Sequence, residues 1–170
     1  ALSASTGIRT FVARVTNLYG PGQDLSKGQG LISTIARTYL TNQPASIFVS
    51  LDTIRDYIYA DDCAAVIVAG MRRLRTLEAG QHVMKIVGSS QAVSIGALIG
   101  EFSRLMRRRP LIILGAGDAR GQALDLRVRS VVWRDLDALV ATSLPEGISR
   151  TYRAMMVGSV APSALAQPPR

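Results

Sequence analysis

An α/β layered architecture is the fold class this chain predicts, on three observations. Strand-like and helix-like segments interleave along the chain, an order that stacks helices on a sheet instead of building a bundle or a sandwich. The 170 residues are 48% hydrophobic, which suits one globular domain with a core of its own. Turn signals built on Gly, Pro and Asn separate the segments, and no internal repeat joins them.

The first strand is expected over residues 8 to 16, which are β-branched and apolar and run into Asn17 and the turn residues Gly20, Pro21 and Gly22. From Leu31, apolar residues at 31, 32, 35, 39 and 40 recur at helical spacing until Asn42 and Pro44 stop the pattern. Two short strands follow, residues 46 to 50 and 55 to 59; in the second, alternation sets Arg55, Tyr57 and Tyr59 on one face and Asp56 and Ile58 on the other. Asp61 and Asp62 are expected to cap the next helix, with Ala64, Ile67, Val68, Met71 and Leu74 as its apolar stripe. Residues 83 to 87 predict a strand, and Ser94 an N-cap for an amphipathic helix whose core face is Leu98, Ile99, Phe102, Leu105 and Met106. Pro110 ends that helix and a strand over 111 to 114 follows. Two helices close the chain, one through Val132, Leu136, Leu139 and Val140, the other through Ile148, Tyr152, Met155 and Met156. Residues 158 to 170 carry three prolines and little periodicity, so a disordered tail is expected beyond a folded body of residues 1 to 157.

No apolar run approaches the roughly 20 residues of a membrane span, and residues 1 to 170 open without a signal-peptide pattern; a soluble, cytoplasmic chain is expected. One cysteine, Cys63, and one histidine, His82, leave neither a disulfide nor a zinc site to build. Cys63 suits a small buried residue, because the neighbouring Asp61 and Asp62 oppose a thiolate. His82 suits a surface position. The net charge of +8 admits an anionic partner. Yet aromatics are only 5%, too few for base stacking, and the arginine clusters at 72, 73 and 75 and at 104 and 107 to 109 fall where cations complement helix C-termini. A nucleic-acid partner is therefore disfavoured.

Three residues stand out chemically. Asn17 ends a strand, where open α/β sheets bind ligands, and its amide can both donate and accept; it can equally organise an Asx-type turn ahead of Gly20. Arg55 starts an apolar strand, a poor place for an unpaired charge, so it pairs either with a carboxylate such as Asp52 or Asp56 or with an anionic ligand such as a phosphate. Tyr57 projects from the same face as Arg55.

Two ordered motifs, Arg14-Val-Thr-Asn17-Leu-Tyr19-Gly20-Pro21 and Arg55-Asp-Tyr57-Ile-Tyr-Ala-Asp61-Asp62, resemble the substrate-binding half of extended short-chain dehydrogenases/reductases, the NAD-dependent nucleotide-sugar epimerases and dehydratases. Ser94-Ile-Gly-Ala-Leu-Ile and Thr142-Ser-Leu-Pro-Glu-Gly-Ile resemble two further stretches of that family. The resemblance implies the C-terminal part of a Rossmann-type fold, an incomplete sheet beside a small mixed α/β substrate-binding region. It also implies that Asn17 and Arg55 contact the diphosphate or adjoining sugar of a nucleotide-diphosphate sugar, with Tyr57 nearby and Leu31 and Ile32 lining the same pocket. NAD is the cofactor of the complete family enzyme, taking a hydride while a tyrosine and a lysine manage the proton.

Neither the family's Gly-x-x-Gly-x-x-Gly loop nor its Tyr-x-x-x-Lys pair occurs in these residues. The expectation is a chain that binds no NAD and catalyses nothing alone, needing a missing N-terminal half or forming homo-oligomers. A non-catalytic anion-binding or interaction module is the alternative. Gly115 stands where the family often has a phosphate-binding arginine, with Arg120 and Arg127 as possible substitutes. The Gly-x-Gly-x-x-x-Gly at 115 to 121 imitates a dinucleotide fingerprint but is better taken as an ordinary glycine loop, because its third glycine is displaced by one position.

Overall fold

The structure is a computed structural model that describes residues 6–24, 30–115 and 123–160. Its elements run β1 (Thr10–Val15), β2 (Asn17–Tyr19), α1 (Leu31–Thr41), β3 (Ala45–Ile47), β4 (Ile54–Arg55), β5 (Tyr57–Tyr59), α2 (Ala60–Arg73), β6 (His82–Val87), β7 (Val93–Ser94), α3 (Ile95–Met106), β8 (Ile112–Leu114), β9 (Asp125–Leu126) and α4 (Leu144–Val160). The expected α/β interleaving holds.

The sheets are small and mostly parallel. β1 pairs with β6, β2 with β5 and β3 with β8, all in parallel, while β4 lies between antiparallel β7 and parallel β9. Residues 10 to 19 form nearly one strand that changes partner at Thr16. The Thr16 N–H donates to the Val87 carbonyl at 3.0 Å and the next N–H, that of Asn17, to the Asp56 carbonyl at 3.1 Å. Residues 55 to 59 divide in the same way, which the sequence pattern did not anticipate as a break. Arg55 belongs to the three-stranded sheet beside Leu126, Tyr57 to the pair beside Asn17, and Asp56 is the joint between them. The alternation itself survives, since Tyr57 and Tyr59 enter one core cluster and Ile58 the other.

The larger core lies among α1, α3 and α4. Ile32, Ile35, Leu98, Phe102 and Ile148 are wholly or almost wholly buried, each worth about 1.5–3 kcal/mol relative to exposure. Ser94 caps α3 as expected, its Oγ accepting from the Ala97 N–H at 3.1 Å, and Asn42 closes α1 in the left-handed conformation at φ 56°. Tyr39 of α1 is held to the end of α3 by Arg108, whose guanidinium donates to the Tyr39 carbonyl at 2.8 Å and lies 5.0 Å from the ring centroid.

α2 turns a different face inward from the one its apolar residues suggest. Cys63, Val66 and Gly70 are buried, whereas Ala64, Val68 and Met71 face outward. Gly70 is selected by Phe11 of β1, whose ring lies where a β-carbon would stand, and the packed stripe follows from that close approach. Asp61 and Asp62 do not cap this helix. The N-cap is Tyr59, with no side-chain hydrogen bond, and both aspartates sit inside the first turn. The Asp62 carboxylate instead receives the Thr142 N–H at 2.8 Å and the Thr142 hydroxyl at 2.9 Å, fastening the entry of α4 to α2.

Residues 134 to 139 form a 3-10 turn (Arg134–Leu139) instead of the α-helix expected there. The reason is local anchoring. Trp133, at φ 49°, stacks on Phe11 with centroids 5.6 Å apart under the Arg73 guanidinium, and Arg73 also pairs with Asp135 at 2.6 Å. α4 continues to Val160, past the expected end of the folded body; residues 161 to 170 of the expected tail lie outside the described residues. No helix among the described residues is long and apolar enough to cross a membrane.

Candidate functional site

Beyond the carboxyl ends of β2 and β3, a cleft of about 570 Å³ opens between the β2–β5 pair and the start of α1. Its volume lies in the ordinary range for small-molecule sites. All five residues singled out from the sequence line it: Asn17, Leu31, Ile32, Arg55 and Tyr57. Asn17 and Tyr57 are register partners across β2 and β5, which brings them side by side although 40 positions separate them in sequence. Leu31 and Ile32 arrive on the first turn of α1, and Phe48, more than half exposed, forms part of the opposite wall.

Arg55 meets no carboxylate among the described residues, so the pairing with Asp52 or Asp56 is not made. Its Nη1 donates to two backbone carbonyls instead, Ile54 at 2.8 Å and Ala123 at 2.9 Å. Those bonds aim the side chain, and no described carboxylate compensates its charge. The Asn17 side chain bonds across to the neighbouring strand instead of closing an Asx-type turn ahead of Gly20. Its Nδ2 donates to the Asp56 carbonyl at 2.8 Å, which fixes the amide, while its Oδ1 and second N–H have no partner among the described residues.

Tyr57 is 8% exposed, and its hydroxyl has no partner among the described residues although every wholly buried polar side-chain atom there has one. The phenol therefore opens onto cavity space instead of packed core, and it also borders a second, smaller cavity of about 110 Å³ beside Thr142 and Ser143. Burial pushes its pKa up to about 12, against a smaller pull downward from Arg55. At neutral pH Tyr57 is an O–H donor, not a phenolate. Asn17, Arg55 and Tyr57 together can bind and orient a polar anionic molecule. Gln23 supports the wall by accepting the Ser33 hydroxyl at 2.6 Å.

Other candidates sit elsewhere. Arg127 pairs with Asp125 on the surface and does not line this cleft; Arg120 lies outside the described residues. Residues 116 to 122, which include most of the glycine loop, also lie outside them. Cys63 is buried with its thiol pKa raised by that burial, and His82 is exposed at the first position of β6. Among the described residues no cluster of His, Cys, Asp and Glu could hold a metal ion. Sequence reasoning missed the part played by Asp56, treated only as a partner for Arg55, and by Lys85, a charged residue wholly buried inside β6. The signal for Lys85 was on view as a lone cation in the apolar run 83 to 87.

The family model described as the NAD dependent epimerase/dehydratase family matches residues 1–86, the half that holds all five site residues. A dTDP-L-rhamnose 4-epimerase of Burkholderia thailandensis is 30% identical over 96 residues, a stretch covering 56% of this chain and 25% of that protein. A UDP-glucose 4-epimerase of Thermotoga maritima, solved with UDP-glucose, superposes with a TM-score of 0.71 at 20% identity, covering 88% of this chain and 46% of that one. A UDP-glucuronic acid 4-epimerase of Bacillus cereus, solved with UDP-glucuronic acid and NAD, gives 0.70 at 18% identity over 86% of this chain and 45% of that one. A dTDP-glucose 4,6-dehydratase of Bacillus anthracis, in complex with NAD, gives 0.69 at 15% identity over 88% of this chain and 45% of that one. The chain thus matches a quarter of the curated relative and spans just under half of each solved structure. The shared fold is Rossmann-like α/β.

Proposed function

Because the chain belongs to the NAD dependent epimerase/dehydratase family, we propose that the cleft formed by Asn17, Arg55 and Tyr57 receives a nucleotide-diphosphate sugar and that this stretch supplies substrate recognition. The observation that carries the reading is the state of Arg55: a guanidinium aimed by two carbonyls into a 570 Å³ cleft, with no carboxylate to neutralise it among the described residues. A diphosphate provides that charge, and a guanidinium fork suits its oxygens. The free oxygen and N–H of Asn17 and the Tyr57 hydroxyl suit hydroxyl groups, which both give and take hydrogen bonds. Leu31, Ile32 and Phe48 supply apolar wall.

Recognition is the whole of the proposed role. In a family enzyme NAD supplies hydride transfer to and from a sugar carbon, and neither its glycine loop nor the Tyr-x-x-x-Lys pair is among these 170 residues. No catalytic step is therefore assigned to this stretch alone.

Calorimetric titration with UDP-glucose tests the reading, the probe being the ligand of the Thermotoga maritima structure. Saturable binding is expected, weakened roughly tenfold or more in Arg55→Ala, as for loss of a charge-assisted contact to phosphate. Equal curves for parent and variant would remove Arg55 from the site, and absence of binding by the parent would end the proposal. NAD is expected to leave the melting temperature unchanged; a saturable rise would place a cofactor on this chain after all.

A further inference from the structure

Asp56 is 1% exposed and sits between the two residues that form the heart of the cleft, yet among the described residues it pairs with no cation. Its carboxylate collects three neutral donors: the Thr16 hydroxyl at 2.7 Å, the Ser89 N–H at 2.8 Å and the Ser89 hydroxyl at 2.9 Å. Its backbone carbonyl collects two more, the Asn17 N–H at 3.1 Å and the Asn17 Nδ2 at 2.8 Å. One residue thus joins the junction of β1 and β2, the junction of β4 and β5, and the turn after β6. Gly88 lets the carboxylate in, for a β-carbon there would lie 2.7 Å from the Asp56 Oδ1 and 2.6 Å from the Thr16 methyl.

A buried carboxylate next to an anion site is unfavourable unless its charge is satisfied and turned away. Both conditions are met here. The side chain points to Thr16 and Ser89, on the face of the strand opposite Tyr57, and only the carbonyl approaches Asn17. The cost of burying Asp56 is offset by making the strand junction rigid, and the rigid junction sets the amide of Asn17.

We infer that Asp56 is the positioning residue of the ligand cleft, acting through Asn17: its carboxylate fixes Thr16, and so holds the Asn17 amide with its oxygen and second N–H toward the ligand. This rests on the proposed nucleotide-diphosphate sugar site and deepens it.

A double-mutant cycle on the full chain, titrated with UDP-glucose, tests the inference. Asp56→Ala is expected to weaken binding roughly tenfold in the parent, but by less than about twofold in an Asn17→Ala background, because the group it positions is gone. Asp56→Asn keeps an oxygen for Thr16 and the Ser89 N–H, so it should bind within about threefold of the parent, with the Ser89 hydroxyl turning from donor to acceptor. If Asp56→Ala fails to fold, Thr16→Val, which deletes the single link between the carboxylate and the β1–β2 junction, replaces it in the same cycle with the same expectation. Equal losses in both backgrounds, or no loss in either, overturn the positioning role while leaving the site intact. A parent that does not bind UDP-glucose overturns the site, and the positioning role with it.

Discussion

Deleting Asp137 should destabilise this protein more than deleting Lys85, the cation it serves. The Lys85 side chain is fully buried, and its ammonium spends all three protons: 2.6 Å to the Ser130 hydroxyl, 2.8 Å to the Val132 carbonyl and 2.6 Å to the Asp137 carboxylate, whose side chain is 34% exposed. Asp137→Ala leaves a charge in the core with two neutral acceptors and no carboxylate in contact, Asp135 nearby being paired with Arg73. Breaking a buried pair in this way costs about 3–5 kcal/mol, and the partial exposure of the carboxylate favours the lower figure, about 3 kcal/mol. Lys85→Met removes the charge itself at nearly constant volume. Asp137 can then rehydrate, and the Val132 carbonyl keeps the Ser130 hydroxyl at 3.3 Å, so about 1 kcal/mol is lost. The double variant should resemble Lys85→Met, recovering about 2 kcal/mol relative to Asp137→Ala, or about 4–8 °C in melting temperature for a chain of this size. Urea unfolding followed by far-ultraviolet circular dichroism measures all three. If Lys85→Met costs as much as Asp137→Ala, or fails to rescue it, desolvation of the ammonium is not what governs this cluster. The consequence reaches the cleft, since the pinned segment follows β9, whose partner strand carries Arg55.

Tyr57→Phe should leave stability within about 0.5 kcal/mol of the parent, because the hydroxyl gives up no hydrogen bond to a described residue, while UDP-glucose affinity falls several-fold. Unchanged affinity would show that the phenol does not meet the ligand. Alkaline stability follows from three buried tyrosines. Burial pushes Tyr39 and Tyr57 up to about 12 and Tyr19 higher still, Tyr19 also under the influence of Asp62. The unfolded chain releases these protons near pH 10 and the folded one retains them, so this contribution is intact below about pH 10 and is lost as pH rises through about 12. Each tyrosine adds a slope of up to about 1.4 kcal/mol per pH unit in that window, and Tyr57→Phe should make the decline shallower. Melting temperatures across that range, with tyrosinate absorbance of the folded protein, would refute this if the tyrosines ionised near pH 10 before unfolding.

Much of the fold was legible because its signals are local. The periodicity of Leu98, Phe102 and their neighbours, the Ser94 cap and the Asn42 stop depend on residues a turn apart, and the structure keeps them. The stripe of α2 was misread because two apolar faces competed, and the choice between them lay with Phe11, almost sixty positions away, pressing on Gly70. The 3-10 turn at 134 to 139 was missed for a similar cause, Trp133 being drawn onto Phe11 and Arg73. For the cleft, residue types, motif order and the family resemblance were enough to pick out five residues that line it, Asn17, Leu31, Ile32, Arg55 and Tyr57. They were silent on Asp56, whose value lies in five hydrogen bonds to Thr16, Asn17 and Ser89.

By itself the sequence determined where most of the strands and helices lie, which side chains alternate from Arg55 to Tyr59, and which family the motifs belong to. Each is a property of neighbouring residues or of their order along the chain. The tertiary structure decided which of two apolar faces α2 buries, that among the described residues Arg55 answers to carbonyls and not to a carboxylate, and that Asn17 gives one N–H to the Asp56 carbonyl. Those outcomes depend on groups 39 to 68 residues apart meeting within hydrogen-bond distance. Parallel strand pairing creates that proximity, and no local pattern encodes it.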